Sequence, residues 1–232
     1  MLSVRNQESG YGSVRVIDGL DLDLAQGEIV ALMGRNGMGK TTLLKTIMGI
    51  LRTRAGQITL DGEAIMQCPT HEIAKAGIGY VPQGRGIFDK LTVEENLAMG
   101  LRARADGMDE IPAYLFETFP ILDERRRQLA GTMSGGQKQQ LAISRALCSD
   151  PKVLLLDEPS EGIQPNIVHE IGTFLRRLIA ERPIAVLVVE QNLDLVEHAS
   201  SRFLMMEKGR IVHAGSTSEL QDEALLQKYL AV

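Results

Sequence analysis

The chain has no tryptophan, only two cysteines and 4% aromatic residues. No apolar run approaches the roughly 18 to 20 residues that a membrane-spanning helix requires. Cys68 and Cys148 are single and far apart in sequence, which fits reduced thiols and argues against a disulfide framework or a thiolate zinc site. The four histidines, His71, His169, His198 and His213, lack metal-ligand spacing. A surplus of positive charge is also missing. The formal net charge is −5, so there is no global pull toward nucleic acid or anionic lipid, and any anionic ligand has to be held by local geometry. The opening stretch "MLSVRNQESG" lacks the apolar core of a signal peptide, so the expectation is a cytoplasmic protein that can dock on a membrane-spanning partner. Low-complexity segments and internal repeats are absent too, which leaves the order of strands and helices to carry the architecture.

What is present is an ordinary globular composition. The 232 residues are 44% hydrophobic and 24% charged, enough for one α/β domain with subdomains. The chain begins with β structure. "GLDLDLAQGE" alternates Leu20, Leu22 and Leu24 with Asp21 and Asp23, and "GQITLDGEAI" reads as a hairpin around Asp61-Gly62; together they suggest an antiparallel layer. Between them, "EIVALMG" is a short apolar strand, followed by a Gly-rich loop and a helical stripe of Leu43, Leu44, Ile47, Met48 and Leu51. After the strand "GIGYVPQ", the capping-box spacing of Thr92 and Glu95 starts a helix at Val93, and residues 89–150 read as a mainly helical insert. The strands "KVLLLDEP" and "IAVLVVEQN" follow, joined by the crossover helix "IVHEIGTFLRRLIAE". Two strands around Lys208-Gly209 and a closing helix capped by Thr217 or Ser218 complete the pattern.

Three motifs carry chemistry. "GRNGMGKTT", comprising Gly34, Arg35, Asn36, Gly37, Met38, Gly39, Lys40, Thr41 and Thr42, satisfies G-x-x-x-x-G-K-[ST] between a strand and a helix. Its backbone amides and the helix start cradle phosphates, Lys40 reaches the β and γ phosphates, and Thr41 offers a hydroxyl to Mg²⁺. "VLLLDEP" ends an apolar run in Asp157 and Glu158, at a strand end expected to neighbour the phosphate loop. There Asp157 suits Mg²⁺ through water, and Glu158 suits accepting a proton from an attacking water. These two motifs alone leave kinases, GTPases, helicases and transporter motors open. The third is "MSGGQKQQLAISRAL", which sets Ser134, Gly135, Gly136 and Gln137 at the start of an amphipathic helix, a second anion-binding geometry.

With that third motif the chain resembles the ATP-binding cassette (ABC) ATPases, whose signature is usually LSGGQ; Met133 replaces the leading Leu. The resemblance covers essentially the whole chain. It implies a P-loop NTPase (RecA-like) core with an antiparallel β layer, residues 1–88 and 151–232, and a mainly helical subdomain, residues 89–150. It further implies that Tyr11 stacks on adenine, that Gln83 reaches Mg²⁺ and the attacking water, and that the signature contacts the γ-phosphate held by a second cassette. In transport members the helical insert contacts a short helix of a membrane-embedded permease, which places the subunit on the inner face of the cell membrane.

Two departures from the family pattern stand out. Glu161, Gly162, Ile163 and Gln164 occupy the place of S-A-L-D, and Gln191 aligns with the switch histidine that touches the γ-phosphate. Gln can donate a hydrogen bond but cannot carry imidazolium charge. "GRNGMGKTTLLKTIMG", "VPQGRGIF", "LTVEENL", "DEPSEGIQP" and "VVEQN" together resemble the second ATPase subunit of bacterial importers for branched-chain amino acids, or of the similar importers for urea and short amides. That branch implies ATP and Mg²⁺, a hetero- or homodimer of cassettes, two permease subunits and, indirectly, a solute-binding protein. Gln191 is expected to contact the γ-phosphate or attacking water as a neutral donor, with Glu190 and Asn192 supporting the turn. A soluble cassette serving DNA repair or translation is the alternative class. Against it, only residues 41–133 separate Lys40 from Ser134, too few for a long coiled-coil insertion, and the chain carries one cassette. A regulatory ATP sensor draws some support from Gln191 and Gln164.

Overall fold

The apolar runs become two sheets in the computed structural model of the protein, which describes residues 1–230. One sheet is antiparallel and four-stranded: β1 (Leu2–Tyr11) lies between β2 (Val14–Leu24) and β4 (Thr53–Leu60), with the short β5 (Glu63–Ala64) beyond. The expected Leu20–Leu22–Leu24 face is buried. The Asp61-Gly62 hairpin forms with both residues at positive φ, 52° and 88°, as a two-residue turn of matching twist requires. The second sheet contains β3 (Ile29–Met33), β6 (Ile78–Val81), β7 (Val153–Asp157), β8 (Ala185–Val189), β9 (Arg202–Glu207) and β10 (Arg210–Ser216), in the order β10-β9-β3-β8-β7-β6. All its pairings are parallel except the β9–β10 hairpin.

Both faces of this sheet are covered, which explains why its strands show no polar alternation. Leu154, Leu156, Val186 and Val188 enter one core, with the helices α3 (Val93–Leu101), α4 (Ala113–Thr118), α5 (Pro120–Glu124), α6 (Gly135–Leu147) and α7 (Pro165–Glu181) supplying the rest. Val153, Leu155, Leu187 and Val189 enter a second core, closed by α1 (Lys40–Ile47), α2 (Thr70–Ala76) and the antiparallel sheet. A third cluster joins β9 to α8 (Leu193–Ala199) and α9 (Glu223–Leu230).

Four local expectations are corrected. The stripe through Leu51 overruns α1, which stops at Ile47; Gly49 takes φ 67°, and a side chain there would come within 2.8 Å of Ile73. The closing helix is broken into a 3₁₀ turn, Thr217–Gln221, and α9, and the cap is Ser216 rather than Thr217 or Ser218. β8, not β7, pairs with the strand that feeds the Gly-rich loop, so the Asp157 strand sits one place further along the sheet. The short helix α2, entered after Pro69, left no sequence signal strong enough to anticipate.

Candidate active site

The carboxyl ends of β3, β6, β7 and β8 converge on one edge of the parallel sheet, where ligands of such folds bind. β3 gives way at Gly34 to the phosphate loop. Gly34 has φ 145°, and an added Cβ would lie 2.4 Å from the Met206 carbonyl oxygen, so no other residue fits. Gly39, at φ 109°, caps α1 without a side-chain hydrogen bond and leaves the first-turn amides available to an anion. Lys40 is buried and folded back: its Nζ donates to the carbonyls of Gly34 (2.7 Å) and Arg35 (3.1 Å) and lies 4.0 Å from Glu158 Oε1. Burial pulls the Lys40 pKa below its ordinary value, opposed by the charges of Glu158, Asp157 and Glu190.

Asp157 ends β7 with 1% of its surface exposed. Its Oδ1 accepts from Thr41 Oγ1 at 3.0 Å and its Oδ2 from the Tyr80 hydroxyl at 3.3 Å. Desolvation raises the pKa of both Asp157 and Tyr80. The Thr41 and Tyr80 hydrogen bonds and the charge of Lys45 oppose that rise at Asp157. Its oxygens, the Thr41 hydroxyl and the nearby Gln83 amide are hard donors suited to Mg²⁺.

Glu158 follows with φ 49°, a left-handed conformation uncommon for this residue type. The bend turns its carboxylate across the sheet edge. Gln191 Nε2 donates to Oε1 (3.2 Å) and Gln83 Nε2 to Oε2 (3.1 Å); Gln191 also donates to Asn36 Oδ1 (2.7 Å) and Gln83 to Glu161 Oε2 (3.2 Å). A single chain of hydrogen bonds therefore crosses the loops that follow β3, β8, β7 and β6. Burial raises the Glu158 pKa, while Gln191 and Lys40 oppose the rise. Asn192 caps α8 by accepting from the Leu195 amide at 3.3 Å.

Tyr11, Val16, Asn36, Gly37, Gly39, Lys40, Thr41, Thr42, Gln83, Glu158 and Glu161 line a cleft of about 490 Å³, with Tyr11 half-exposed; Asp157 and Gln191 are not in its lining but bond to residues that are, Asp157 to Thr41 and Gln191 to Glu158 and Asn36. Arg35 and Met38 stand outside the lining. Arg35 is exposed, and Met38 is tied to the β9–β10 turn, its carbonyl accepting from the Gly209 amide at 3.0 Å. Ser134, Gly135, Gly136 and Gln137 are also not brought to this cleft. They form a reciprocal capping box at the start of α6, in which the Gln137 amide donates to Ser134 Oγ (3.3 Å) and the Ser134 amide to Gln137 Oε1 (3.1 Å). A larger hollow of about 540 Å³ between α7 and α8 is lined in part by the stacked rings of His169 and His198 and by no residue of the Gly-rich loop.

Two contributors were not visible in the sequence. Tyr80 had no local signal pointing to Asp157. Arg54 braces the turn after Tyr11, donating to the carbonyls of Gly12 (2.6 Å), Val14 (3.0 Å) and Ser13 (3.3 Å), a contact that depends on the pairing of β4 with β1.

Comparison with known proteins agrees with this geometry. Residues 17–161 match the ABC transporter family. The chain is 41% identical to the high-affinity branched-chain amino acid transport ATP-binding protein BraG of Pseudomonas aeruginosa, covering 99% of each protein. It is 35% identical to the lipopolysaccharide export system ATP-binding protein LptB of Haemophilus influenzae, covering 99% of this chain and 97% of that one. Among solved structures, the ADP conformation of an ATP-binding cassette of an ABC transporter superposes with a TM-score of 0.83 at 27% identity, covering 100% of this chain and 97% of that one. A Gly-rich loop entering a helix, a buried Asp157 followed by Glu158 and a capped signature helix on this fold, with relatives matched over nearly their full length, lead to one conclusion: the chain belongs to the ABC transporter family, as an ATPase that binds and hydrolyses ATP.

Proposed function

We propose that the protein is the motor of a bacterial importer for branched-chain amino acids, peripheral on the inner face of the cell membrane. The observation that carries this reading is the 41% identity to BraG over the full length of both chains. It is supported by the 34% identity to a probable branched-chain amino acid transport ATP-binding protein, LivF, of Archaeoglobus fulgidus. The LptB match at 35% favours export as the second reading. Urea and short amides remain the alternative cargo of an importer.

In this reading ATP lies with its adenine against Tyr11 and its phosphates on the amides of residues 34–42. Lys40 leaves the carbonyls of Gly34 and Arg35 for the β and γ phosphates. Thr41, Asp157 and Gln83 would hold Mg²⁺, which would supply neutralisation of phosphate charge. Glu158 orients the attacking water and takes its proton, and Gln191 donates to the γ-phosphate or to that water. Ser134, Gly135, Gly136 and Gln137 serve the nucleotide of a second cassette, which accounts for their distance from this chain's own cleft. Residues 89–150 act as the helical subdomain that meets the permease. A groove at its border with the core exposes Phe88 and Met99 beside Tyr80 and Arg145, a surface suited to a short helix. Closure on ATP drives the permease pair, and hydrolysis reopens it.

Reconstitution tests the cargo. With the permeases that co-purify with the chain, ATP turnover should rise when a binding protein loaded with leucine, isoleucine or valine is added. Stimulation by a lipid exporter's permeases, or by urea, would replace this reading. Gln191→Ala tests the switch position: it should lower kcat by roughly 10- to 100-fold with KM for ATP little changed, because the donor acts on charge that develops in the transition state. An unchanged kcat would return Gln191 to an ordinary loop.

A further inference from the structure

Glu190 is one of the few charged side chains in the interior, 3% exposed at the end of β8, and no ion pair is formed with it among the described residues. Its two oxygens reach two different loops. Oε2 accepts from the Ser160 amide (3.1 Å), in the loop after Asp157 and Glu158. Oε1 accepts from the amides of Gln191 (2.7 Å) and Asn192 (3.0 Å), in the loop after β8. The sheet does not need this contact to hold the strand end, because the Glu190 amide already donates to the Leu32 carbonyl at 3.2 Å.

We propose that Glu190 is a positioning residue for ATP hydrolysis: its buried carboxylate clasps the loop that carries Glu158 to the loop that carries Gln191. The inference rests on the reading that Glu158 and Gln191 act at the γ-phosphate. Glu158 sits in a left-handed conformation at φ 49°, and two contacts bracket it, its own amide to the Val189 carbonyl at 2.8 Å and the Ser160 amide to Glu190. The Glu158 and Gln191 side chains, joined at 3.2 Å, therefore hang from backbone segments with a common anchor.

The chemistry of the site selects glutamate. All three hydrogen bonds to its side chain come from amide donors. Glutamine would turn an NH₂ toward one of these donors, and aspartate, one methylene shorter, would not reach both loops.

The test is a mutant cycle on the purified full-length chain, with melting temperature recorded for every variant. Glu190→Gln should lower kcat by about tenfold or more while KM for ATP stays within about twofold, as expected for loss of charge-assisted hydrogen bonds that act on geometry rather than on nucleotide binding. Glu190→Asp should be similarly slow, which gives a second, smaller perturbation if the Gln variant is poorly folded. Adding Gln191→Ala to Glu190→Gln should cost less than about a further twofold, since contacts acting through one another are not additive. General loosening would instead lower the melting temperature and raise KM along with the fall in kcat, and would not make the double variant non-additive. A slow Gln191→Ala beside a normal Glu190→Gln overturns the clasp alone, as do multiplying effects in the double variant. A normal Gln191→Ala overturns the role proposed for that residue, and with it the route by which Glu190 acts.

Discussion

Glu158→Gln should reduce steady-state ATP hydrolysis by about 10²- to 10⁴-fold, the range expected when a positioned general base is removed, while leaving ATP binding intact. The substitution keeps the shape of the side chain and can keep its contacts with Gln83 and Gln191, whose amides also offer acceptor oxygens. It removes the negative charge and with it the capacity to take a proton. The backbone at φ 49° is set by the two loops and is as compatible with Gln as with Glu. Because closure precedes hydrolysis in the proposed cycle, the variant should accumulate as a closed dimer in ATP, read as a doubled mass by light scattering that reverts on nucleotide removal. The wild-type chain carries a companion expectation. Burial raises the Glu158 pKa, so kcat should fall as pH drops through a value above the usual carboxylate range, and this limb should vanish from the residual activity of Glu158→Gln. Normal turnover in the variant, or an identical acid limb, would remove Glu158 from the base role.

Much of this site was legible in the sequence because the residues carrying it are constrained locally. Gly34 and Gly39 are required by backbone angles and close approach, Thr92 and Ser134 announce helices through capping boxes, and unbroken apolar runs mark strands covered on both faces before Asp157 and Glu190. What was not legible depends on contacts between segments remote in sequence. The order β3-β8-β7 follows from crossover packing rather than from any strand's composition, so placing Asp157 beside the phosphate-loop strand was a natural error. The Thr41–Asp157 contact survives it because α1 lies over the sheet and brings the hydroxyl across to the far strand. Tyr80 and Arg54 were invisible for the same reason, their partners being 77 and about 41 positions away. Glu190 was read only as a support for its own turn, and its link to Ser160 spans 30 positions.

Lys40→Met should weaken ATP binding by roughly 10²-fold or more, the loss of a charge-assisted contact to phosphate in a water-poor site, and hydrolysis should fall with it. Met approximates the length of the lysine stem and suits a position only 4% exposed, but it leaves Glu158 without the cation 4.0 Å away, so the melting temperature should fall while the fold is retained. Calorimetric titration with ATP measures the first effect and thermal melting the second. Lys40→Arg should rescue little, because a planar guanidinium does not fit the space in which Nζ reaches two loop carbonyls and stands 4.0 Å from Glu158. The resting contacts add a further consequence. Nζ is satisfied by the carbonyls of Gly34 and Arg35, so the lysine latches its own loop, and in the proposed reading it exchanges those acceptors for phosphate oxygens. Without it, the loop loses both its internal latch and its charge, and the affinity lost should exceed what removal of the Thr41 hydroxyl alone produces. Near-normal ATP affinity in Lys40→Met would mean that the amides of residues 34–42 hold the phosphates unaided, leaving Lys40 a role only as a latch on its own loop.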